Sequence, residues 1–233
     1  MGRRERKNEI LVLLGRPDLA AILDITDSLA PRDLIAPLFS ALCHRDELVR
    51  WHAVSVFGAT VSRMAGQDME SARIVMRRFL WSLNDESGGI GWGAPEAMAE
   101  IMFLSRPLAE EYLHMLVSYM REDGPEAFQD GNYIELPMLQ RGLLWGIGRL
   151  VPRYRQTLAA MEIAADLRRY LQSPDGDVRG LAVRCLLLLG DTLEGREYDA
   201  LRQDRHRFKV YTGDGFLLCT IADLLRQGRR KEQ

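Results

Sequence analysis

A helix-start phrase occurs twice in this chain and constrains the fold more than any other feature. Residues 46–54 read Asp-Glu-Leu-Val-Arg-Trp-His-Ala-Val, and residues 177–183 read Asp-Val-Arg-Gly-Leu-Ala-Val, so both contain the core Val-Arg-x-x-Ala-Val. Repetition of this kind is typical of solenoids, in which similar helical hairpins stack on one another. The sequence therefore predicts an all-α protein built from repeats.

A register built on this phrase extends the repeat along the chain. Successive register positions are separated by 46, 45, 38 and 37 residues, which is close to the ~40 to 47 residues of HEAT and armadillo repeats. Second segments with helical apolar spacing lie between them. The register positions are Arg50, Glu96, Arg141, Arg179 and Phe216, each followed three residues later by Ala53, Ala99, Leu144, Ala182 and Cys219, respectively.

The register predicts one continuous domain over residues 1–233, a right-handed α–α superhelix of about six hairpins with frayed ends at 1–7 and 228–233. Prolines near the expected helix starts agree with this division, because a missing N–H is harmless in the first turn. We expect an N-terminal helical pair at about 5–29, then hairpins at about 31–66, 68–105, 107–151, 154–190 and 195–227.

Composition predicts a cytoplasmic protein without a metal or cofactor. The longest stretch without a charged side chain is twelve residues, 51–62, whereas a bilayer span needs ~20 apolar residues. Cys43, Cys185 and Cys219 are far apart without C-x-x-C spacing, which is typical of buried thiols in a reducing compartment. Cys43 and His44 could combine with His52, but a closed zinc site needs about four ligands and no second cluster is visible.

Charge is unevenly distributed along the chain. The net charge is +2 over residues 1–80, −9 over 81–140 and +5 over 141–233. In a solenoid this pattern places an acidic band between more basic ends, whereas a duplex-binding groove would concentrate Lys and Arg at its centre. Nucleic acid is therefore disfavoured as a partner. The basic run 204–211 could still contact RNA, DNA or an acidic protein, or simply be a solvated connector before the last inner helix.

The phrase and its period resemble those of the HEAT-repeat superfamily, including the bacterial HEAT-like repeats first associated with phycobilisome lyases. The resemblance rests on Asp46-x-x-Val-Arg50-x-x-Ala53, Asp177-Val-Arg179-x-x-Ala182 and the two-helix period, and it covers most of the chain loosely. It implies an armadillo-like α-solenoid. Members of the superfamily bind proteins, bind nucleic acids or assist cofactor attachment, so the resemblance implies no catalytic residues.

The glycine-rich segment 84–93 departs most from the repeat. It reads Asn-Asp-Glu-Ser-Gly-Gly-Ile-Gly-Trp-Gly and leads directly into the helix that carries Glu96. Such a run is tolerated where the chain turns sharply or approaches something closely. Its acidic neighbours and its pattern argue against a phosphate site. Two interpretations remain open here: a specialised loop without a ligand, or a loop that contacts a partner or a small ligand.

Stacked repeats would collect the unusual residues near the inner-helix starts along one edge of the solenoid. Aromatic side chains beside charges are typical of recognition patches. The alternative for the arginines is structural, as a ladder in which Arg50, Glu96 and Arg141 pair across repeats. The predicted binding residues are Trp51, His52, Glu86, Gly89, Trp92, Glu96, Tyr133, Glu135, Arg141 and Arg179.

Three functions are compatible with the sequence. The favoured one is a noncatalytic interaction scaffold with a protein partner, because no nucleophile–base arrangement is visible. The second is a small-molecule or cofactor-handling protein, lyase-like, that uses the glycine-rich segment. The third is a DNA-repair glycosylase of the HEAT-like alkylpurine type, which would need a basic concave groove rather than the acidic centre found here.

Overall fold

The structure, a computed structural model, describes residues 3–84, 91–122, 132–213 and 215–230. This part of the chain contains twelve α-helices and two short β-strands. The chain divides into two compact units, unit 1 at Met1–Leu116 and unit 2 at Val117–Gln233. None of the described helices is long and apolar enough to cross a membrane.

Three of the helices of unit 1 begin at an aspartate that caps the helix. The Asp18 side chain accepts a hydrogen bond from the backbone N–H of Ala21, and Asp46 and Asp68 cap the fourth and fifth helices in the same way. The seventh helix continues two residues past the end of the unit. The helices are α1 (Arg3–Leu14), α2 (Leu19–Asp27), α3 (Pro31–Leu42), α4 (Glu47–Gln67), α5 (Met69–Leu83), α6 (Ala94–Leu104) and α7 (Arg106–Ser118).

The inner helices α4 and α6 run parallel and in the predicted register. A Cβ on Gly58 would lie 2.6 Å from Cγ of Glu100 and 3.2 Å from Cδ1 of Leu104, so the two helices approach closely at Gly58. Beneath them, the rings of Phe39, Phe57 and Phe79 have centroids 4.7 to 5.0 Å apart. This cluster joins α3, α4 and α5 through edge-on and tilted aromatic contacts.

Unit 2 continues the helical pattern as far as α11 and then forms two β-strands before its last helix. Its longest helix is interrupted by a non-helical residue, Tyr154 (φ −123°, ψ 28°), two residues after Pro152; this break coincides with the predicted hairpin boundary. The elements are α8 (Pro137–Ala160), α9 (Ile163–Tyr170), α10 (Gly176–Leu189), α11 (Gly195–Leu201), β1 (Arg207–Tyr211), β2 (Phe216–Thr220) and α12 (Ile221–Arg230).

The last predicted helical hairpin, 195–227, is wrong where two strands lie between α11 and α12, at 207–211 and 216–220. β1 and β2 pair antiparallel, with Arg207 opposite Thr220 and Tyr211 opposite Phe216. The connecting turn contains Gly213 (φ 95°) and Gly215 (φ 146°), conformations that glycine adopts without strain. Phe216, which the register placed in a helix, is therefore the first residue of a strand.

A pair of glycines one helical turn apart lets β1 lie directly on α10. A Cβ on Gly176 would lie 2.3 Å from the His206 ring, and one on Gly180 would lie 2.4 Å from the Phe208 ring. Phe208 and Val210 alternate along the strand and are 1% and 2% exposed, as expected for the buried face of a strand. The Nε1–H of Trp145 closes this core by donating to the carbonyl of Tyr211 at 3.0 Å.

The prediction of an all-α fold made of consecutive helices is confirmed, with the β-hairpin as its one departure in the described residues. The register is also confirmed for α8 and α10, which run parallel: a Cβ on Gly148 would contact Arg184 and Cys185, and the Cys185 thiol donates to the Leu144 carbonyl. The right-handed superhelix and the single domain over 1–233 stay predictions.

Candidate functional site

The start of α6 explains part of the glycine-rich segment. Gly93 is the N-cap of α6 and has φ 73°, in the left-handed region. A Cβ at this position would lie 2.9 Å from Cδ2 of Leu42, so both the backbone conformation and the packing require glycine. The preceding residue, Trp92, is 40% exposed. The tight turn thus presents an indole to solvent directly before a helix.

Glu96, three residues into α6, carries an unusual carboxyl group. The residue is partly exposed as a whole, but its Oε2 is shielded from solvent and has no hydrogen-bond partner among the described residues. Burial raises the pKa of Glu96 to about 7, against smaller lowering effects from its own backbone N–H and from the charge of Arg50. A substantial fraction of this carboxyl is therefore protonated near neutral pH and can donate as well as accept a hydrogen bond.

Arg50 does not pair with Glu96 in the way the predicted ladder requires. Its NH1 group donates to the carbonyls of His44 (2.8 Å) and Arg45 (3.3 Å) at the start of its own helix. It acts on Glu96 as a nearby charge that lowers the pKa of the carboxyl. The arginine therefore fixes the turn before α4 rather than forming a rung between repeats.

The prediction that His52 lies on an exposed edge is wrong. Its side chain is buried, with 2% of its surface exposed, and its Nδ1 lies 2.8 Å from the carbonyl oxygen of Leu14. Two residues along a helix point to nearly opposite sides, so His52 faces the core while Arg50 faces outward. Trp51 is intermediate in exposure, and its carbonyl accepts a hydrogen bond from the hydroxyl of Ser55.

Trp81 is an exposed residue that the sequence interpretation missed. It lies in the last turn of α5 with 64% of its surface exposed, and Ile74, seven residues earlier, is 57% exposed. The buried residues of α5 are Ala72, Val75, Met76, Phe79 and Ser82, at helical spacing. Both exposed side chains are off that stripe, so the period of the apolar residues could have identified them.

In unit 2 the register arginines form ion pairs with aspartates of the following repeat. Arg141 donates from Nε and NH2 to Asp175, at 2.5 Å for the shortest contact, and its NH1 lies 3.1 Å from Asp177. Arg179 pairs with Asp204 at 2.7 Å and also donates to the Ser173 carbonyl. The structural role predicted for these arginines is thus present, but the partners are aspartates and not a glutamate of the register.

Asp175 combines two tasks in this network. Its Oδ1 accepts from the backbone N–H groups of Asp177 and Val178, so it is the N-cap of α10, while both its oxygens accept from Arg141. The Arg141 guanidinium and these backbone N–H groups hold the pKa of Asp175 below its usual range, although burial opposes them. His206 extends the network, because its Nε2 lies 2.6 Å from Oδ1 of Asp177.

Tyr133 and Glu135 lie before α8 and are not part of that ion-pair network. The Tyr133 hydroxyl accepts from the side-chain amide of Gln140 at 3.2 Å, and Glu135 is exposed. Burial and the nearby carboxylates of Glu122 and Glu135 raise the pKa of Tyr133. Tyr133 is therefore held in a polar contact, whereas Glu135 is accessible to a partner.

The residues predicted to form the edge do not all belong to one unit. Trp51, Trp92 and Glu96 belong to unit 1, and Tyr133, Glu135, Arg141 and Arg179 belong to unit 2. Glu86 and Gly89 lie outside the described residues. Within the described ranges, no group of three or more His, Cys, Asp or Glu side chains is arranged to hold a metal ion. A common edge shared by the nine residues other than His52 stays a prediction.

Comparisons with known proteins place the chain near an archaeal relative and near designed repeat proteins. An uncharacterized protein of Archaeoglobus fulgidus is 27% identical over 200 residues, which cover 85% of this chain and 95% of that protein. A designed armadillo repeat protein is 15% identical, with 97% and 99% of the two chains covered and a TM-score of 0.47. Computationally designed armadillo repeat proteins for modular peptide recognition are 14% identical, with 95% and 96% covered and a TM-score of 0.44. No family model matches the chain.

Proposed function

We propose that this chain is a noncatalytic interaction scaffold that binds a protein partner through the edge carrying the glycine-rich segment 84–93. The observation that carries the proposal is a pair of exposed tryptophans, Trp81 three residues before that segment and Trp92 near its end. Trp81 is 64% exposed at the end of α5, and Trp92 is 40% exposed immediately before the N-cap of α6. Tryptophan is costly to leave in water and is enriched at the centres of protein interfaces.

Charge indicates the kind of partner. Residues 81–140 carry a net charge of −9, so a partner surface with lysines and arginines is attracted to this part of the chain. Cations also interact favourably with the face of an indole ring, at ~0.5 to 2 kcal/mol for each contact. A basic protein segment would therefore use both the acidic side chains and the two tryptophans.

Affinity capture with matched variants tests this function. The unmodified chain, Trp81→Ala, Trp92→Ala and the control Val12→Ala are immobilised and exposed to native lysate, and the captured protein is then purified and titrated. Val12 is 71% exposed on α1, so its truncation also removes exposed apolar surface. We expect each tryptophan variant to weaken binding about thirtyfold, the effect of ~2 kcal/mol for a hot-spot residue. Equal capture by all four chains, or capture of no specific protein, would refute the proposal.

The carboxyl of Glu96 supports a second candidate, a small-ligand site of the kind that a cofactor-handling protein would need. Its Oε2 is shielded and has no partner within the described residues, and the pKa of about 7 lets the group donate or accept. A polar ligand that pairs with Oε2 would remove the cost of that unsatisfied oxygen. Mass spectrometry of small molecules that copurify with the chain tests this candidate, since a genuine ligand should be lost from Glu96→Ala and retained by Val12→Ala.

A further inference from the structure

The first backbone donors of α6 are already in use. The N–H groups of Ala94 and Ala97 donate to carbonyls of the turn at 91–93, both at 3.0 Å. Pro95 has no N–H to offer, and the Glu96 carboxyl accepts a hydrogen bond from its own backbone N–H. An anion would therefore not find here the free donors that make other helix N-termini attractive to it.

One acceptor at the start of α6 lacks a partner among the described residues. Oε2 of Glu96 is shielded from solvent and receives no hydrogen bond in this part of the chain. Side chains of a helix lean toward its N-terminus, so we expect the carboxyl to lie over the turn that contains Trp92 and Gly93. Trp92 is 40% exposed. The start of α6 thus offers an acceptor and an indole close together.

The neighbouring helices α3 and α4 do not supply the missing donor. Arg50 on α4 acts on the Glu96 carboxyl through its charge, but its NH1 group donates to the carbonyls of His44 and Arg45. The end of α3 packs on the turn through the apolar side chain of Leu42. The imidazole of His44, which follows α3, accepts a backbone hydrogen bond at the start of α4.

Charged groups on α5 and α6 complete the surroundings of Glu96. The arginines of α5 have partners: Arg73 and Arg77 pair with glutamates, and Arg78 stacks on an aromatic ring. Along α6 the next acid is Glu100, which packs against Gly58 of α4. Within the described residues, therefore, Oε2 feels the charge of Arg50 but receives no hydrogen bond.

An ionised oxygen without a donor is costly to shield from water. This cost favours the protonated carboxyl, and burial accordingly raises the pKa of Glu96 to about 7. A cationic side chain would supply the missing donor and favour the ionised form. The indole attracts the same cation, and the sequence from 84 to 103 contains four acids and no lysine or arginine. A cation is thus the ligand that uses every feature of the turn.

We propose that the edge carrying the glycine-rich segment is proton-linked: a lysine or arginine of the protein partner pairs with Oε2 of ionised Glu96 beside Trp92, and the carboxyl proton leaves to solvent. The edge then loses affinity for its partner as pH falls below neutral. Glu96 as a residue is partly exposed, so rotation about the broad terminal torsion of its carboxyl brings Oε2 to the surface. This inference rests on the function proposed above and adds how that site is regulated.

Titration of the full chain with defined tripeptides tests the proposal. The probes are blocked glycine–lysine–glycine, the same peptide with norleucine, which keeps the side chain without its charge, and the same peptide with glutamate. The indole N–H resonance of Trp92, assigned with Trp92→Phe, reports binding by NMR. We expect the lysine peptide to bind about tenfold more tightly at pH 8 than at pH 6, because a pKa of about 7 leaves the carboxyl about nine tenths and about one tenth ionised, respectively.

Variants and the other peptides supply the controls. Glu96→Gln should bind the lysine peptide weakly and equally at both pH values. His44→Gln, which removes the imidazole at the neighbouring turn, should keep the pH dependence of the unmodified chain. The norleucine peptide should bind at least about tenfold more weakly than the lysine peptide at pH 8. Lysine-peptide binding that is absent, that does not change between pH 6 and pH 8, or that is weaker than binding of the norleucine or glutamate peptide would overturn the proposal.

Capture from lysate separates this inference from the function on which it rests. A protein partner whose capture depends on Trp81 and Trp92, but neither on pH nor on Glu96→Gln, would overturn the proton linkage and leave the scaffold function standing. Proton-linked binding of the lysine peptide without capture of any specific protein would support the cation site and refute the scaffold function.

Discussion

Replacing Gly180 by alanine tests whether β1 and α10 pack as closely as the structure indicates. A Cβ at this position would lie 2.4, 2.5 and 2.6 Å from three carbons of the Phe208 ring. Carbon atoms in contact are normally about 3.5 to 4.0 Å apart, so the ring would have to move by about 1 Å. Phe208 is 1% exposed, and the ring is therefore enclosed by neighbours that resist this displacement.

The expected cost follows from two opposing terms. Overpacking of a core costs about 1 to 3 kcal/mol, whereas alanine in place of glycine in a helix gains up to ~1 kcal/mol. We expect Gly180→Ala to lower the free energy of unfolding by about 1 to 2 kcal/mol, toward the upper part of the range because the ring cannot leave its site. Urea titration followed by circular dichroism and by the fluorescence of Trp145, which hydrogen bonds to Tyr211 in the hairpin, measures this change.

The chain contains a matched control with the opposite expected sign. Gly66 lies in α4, and no atom lies within 4 Å of a Cβ built there. Gly66→Ala should therefore stabilise unit 1 by ~0.5 to 1 kcal/mol. Adding Phe208→Leu to Gly180→Ala should recover part of the loss, with a coupling energy of ~0.5 to 3 kcal/mol. Stability of Gly180→Ala equal to or above that of the unmodified chain, or strictly additive effects in the double variant, would refute the packing argument.

Three further predictions follow from buried and capping groups. Glu96 has a pKa of about 7 in the folded chain, above the ordinary value of 4.5, so its ionisation destabilises the fold as pH rises through 7. The Glu96→Gln variant should therefore be more stable than the unmodified chain at about pH 9, by up to ~3 kcal/mol. This advantage should be lost near pH 4.5. Asp175→Ala should cost about 1 to 2 kcal/mol in urea unfolding, and Asp175→Asn, which keeps the cap and loses the ion pair, about 0 to 1. Phe57→Ala should lower the stability of unit 1 by about 3 to 5 kcal/mol, as measured by thermal unfolding, because it empties the centre of the aromatic cluster.

The inner helices could be predicted because the sequence pattern that marks them recurs along the chain. The alanine of the Val-Arg-x-x-Ala-Val phrase is fully buried in both copies, as Ala53 and Ala182. The register derived from the phrase pairs α4 with α6 and α8 with α10, as the structure does. Asp46 is a capping residue that a sequence reveals directly. These features depend on nearby residues and on spacing, which a single sequence contains.

The end of the chain could not be predicted from the same register. Phe216 and Cys219 are apolar residues three apart, a spacing that a short strand and the start of a helix can share. What decides between them is the docking surface of α10, where Gly176 and Gly180 accept the His206 and Phe208 rings. That surface depends on a contact between elements far apart in sequence. The prediction for His52 was wrong for a related reason. Its position near Arg50 in sequence does not place it on the same side of α4.

Arg141 and Arg50 hold the same place in the repeat, but the next inner helix begins with a different N-cap in the two cases. Arg141 pairs with Asp175, which is also the N-cap of the next inner helix. For Arg50 the next inner helix is α6, and its N-cap is Gly93, where a φ of 73° and the contact with Leu42 exclude an aspartate. The turn that exposes Trp92 therefore also removes the carboxylate that the arginine would otherwise meet at the cap. Glu96 on α6 is close enough for the charge of Arg50 to lower the pKa of its carboxyl, but burial raises that pKa to about 7 and so weakens Glu96 as a counter-ion. The glycine at the start of α6 thus accounts both for the missing aspartate cap and for the turn that exposes the indole, and this is the physical reason to propose a binding edge at that turn.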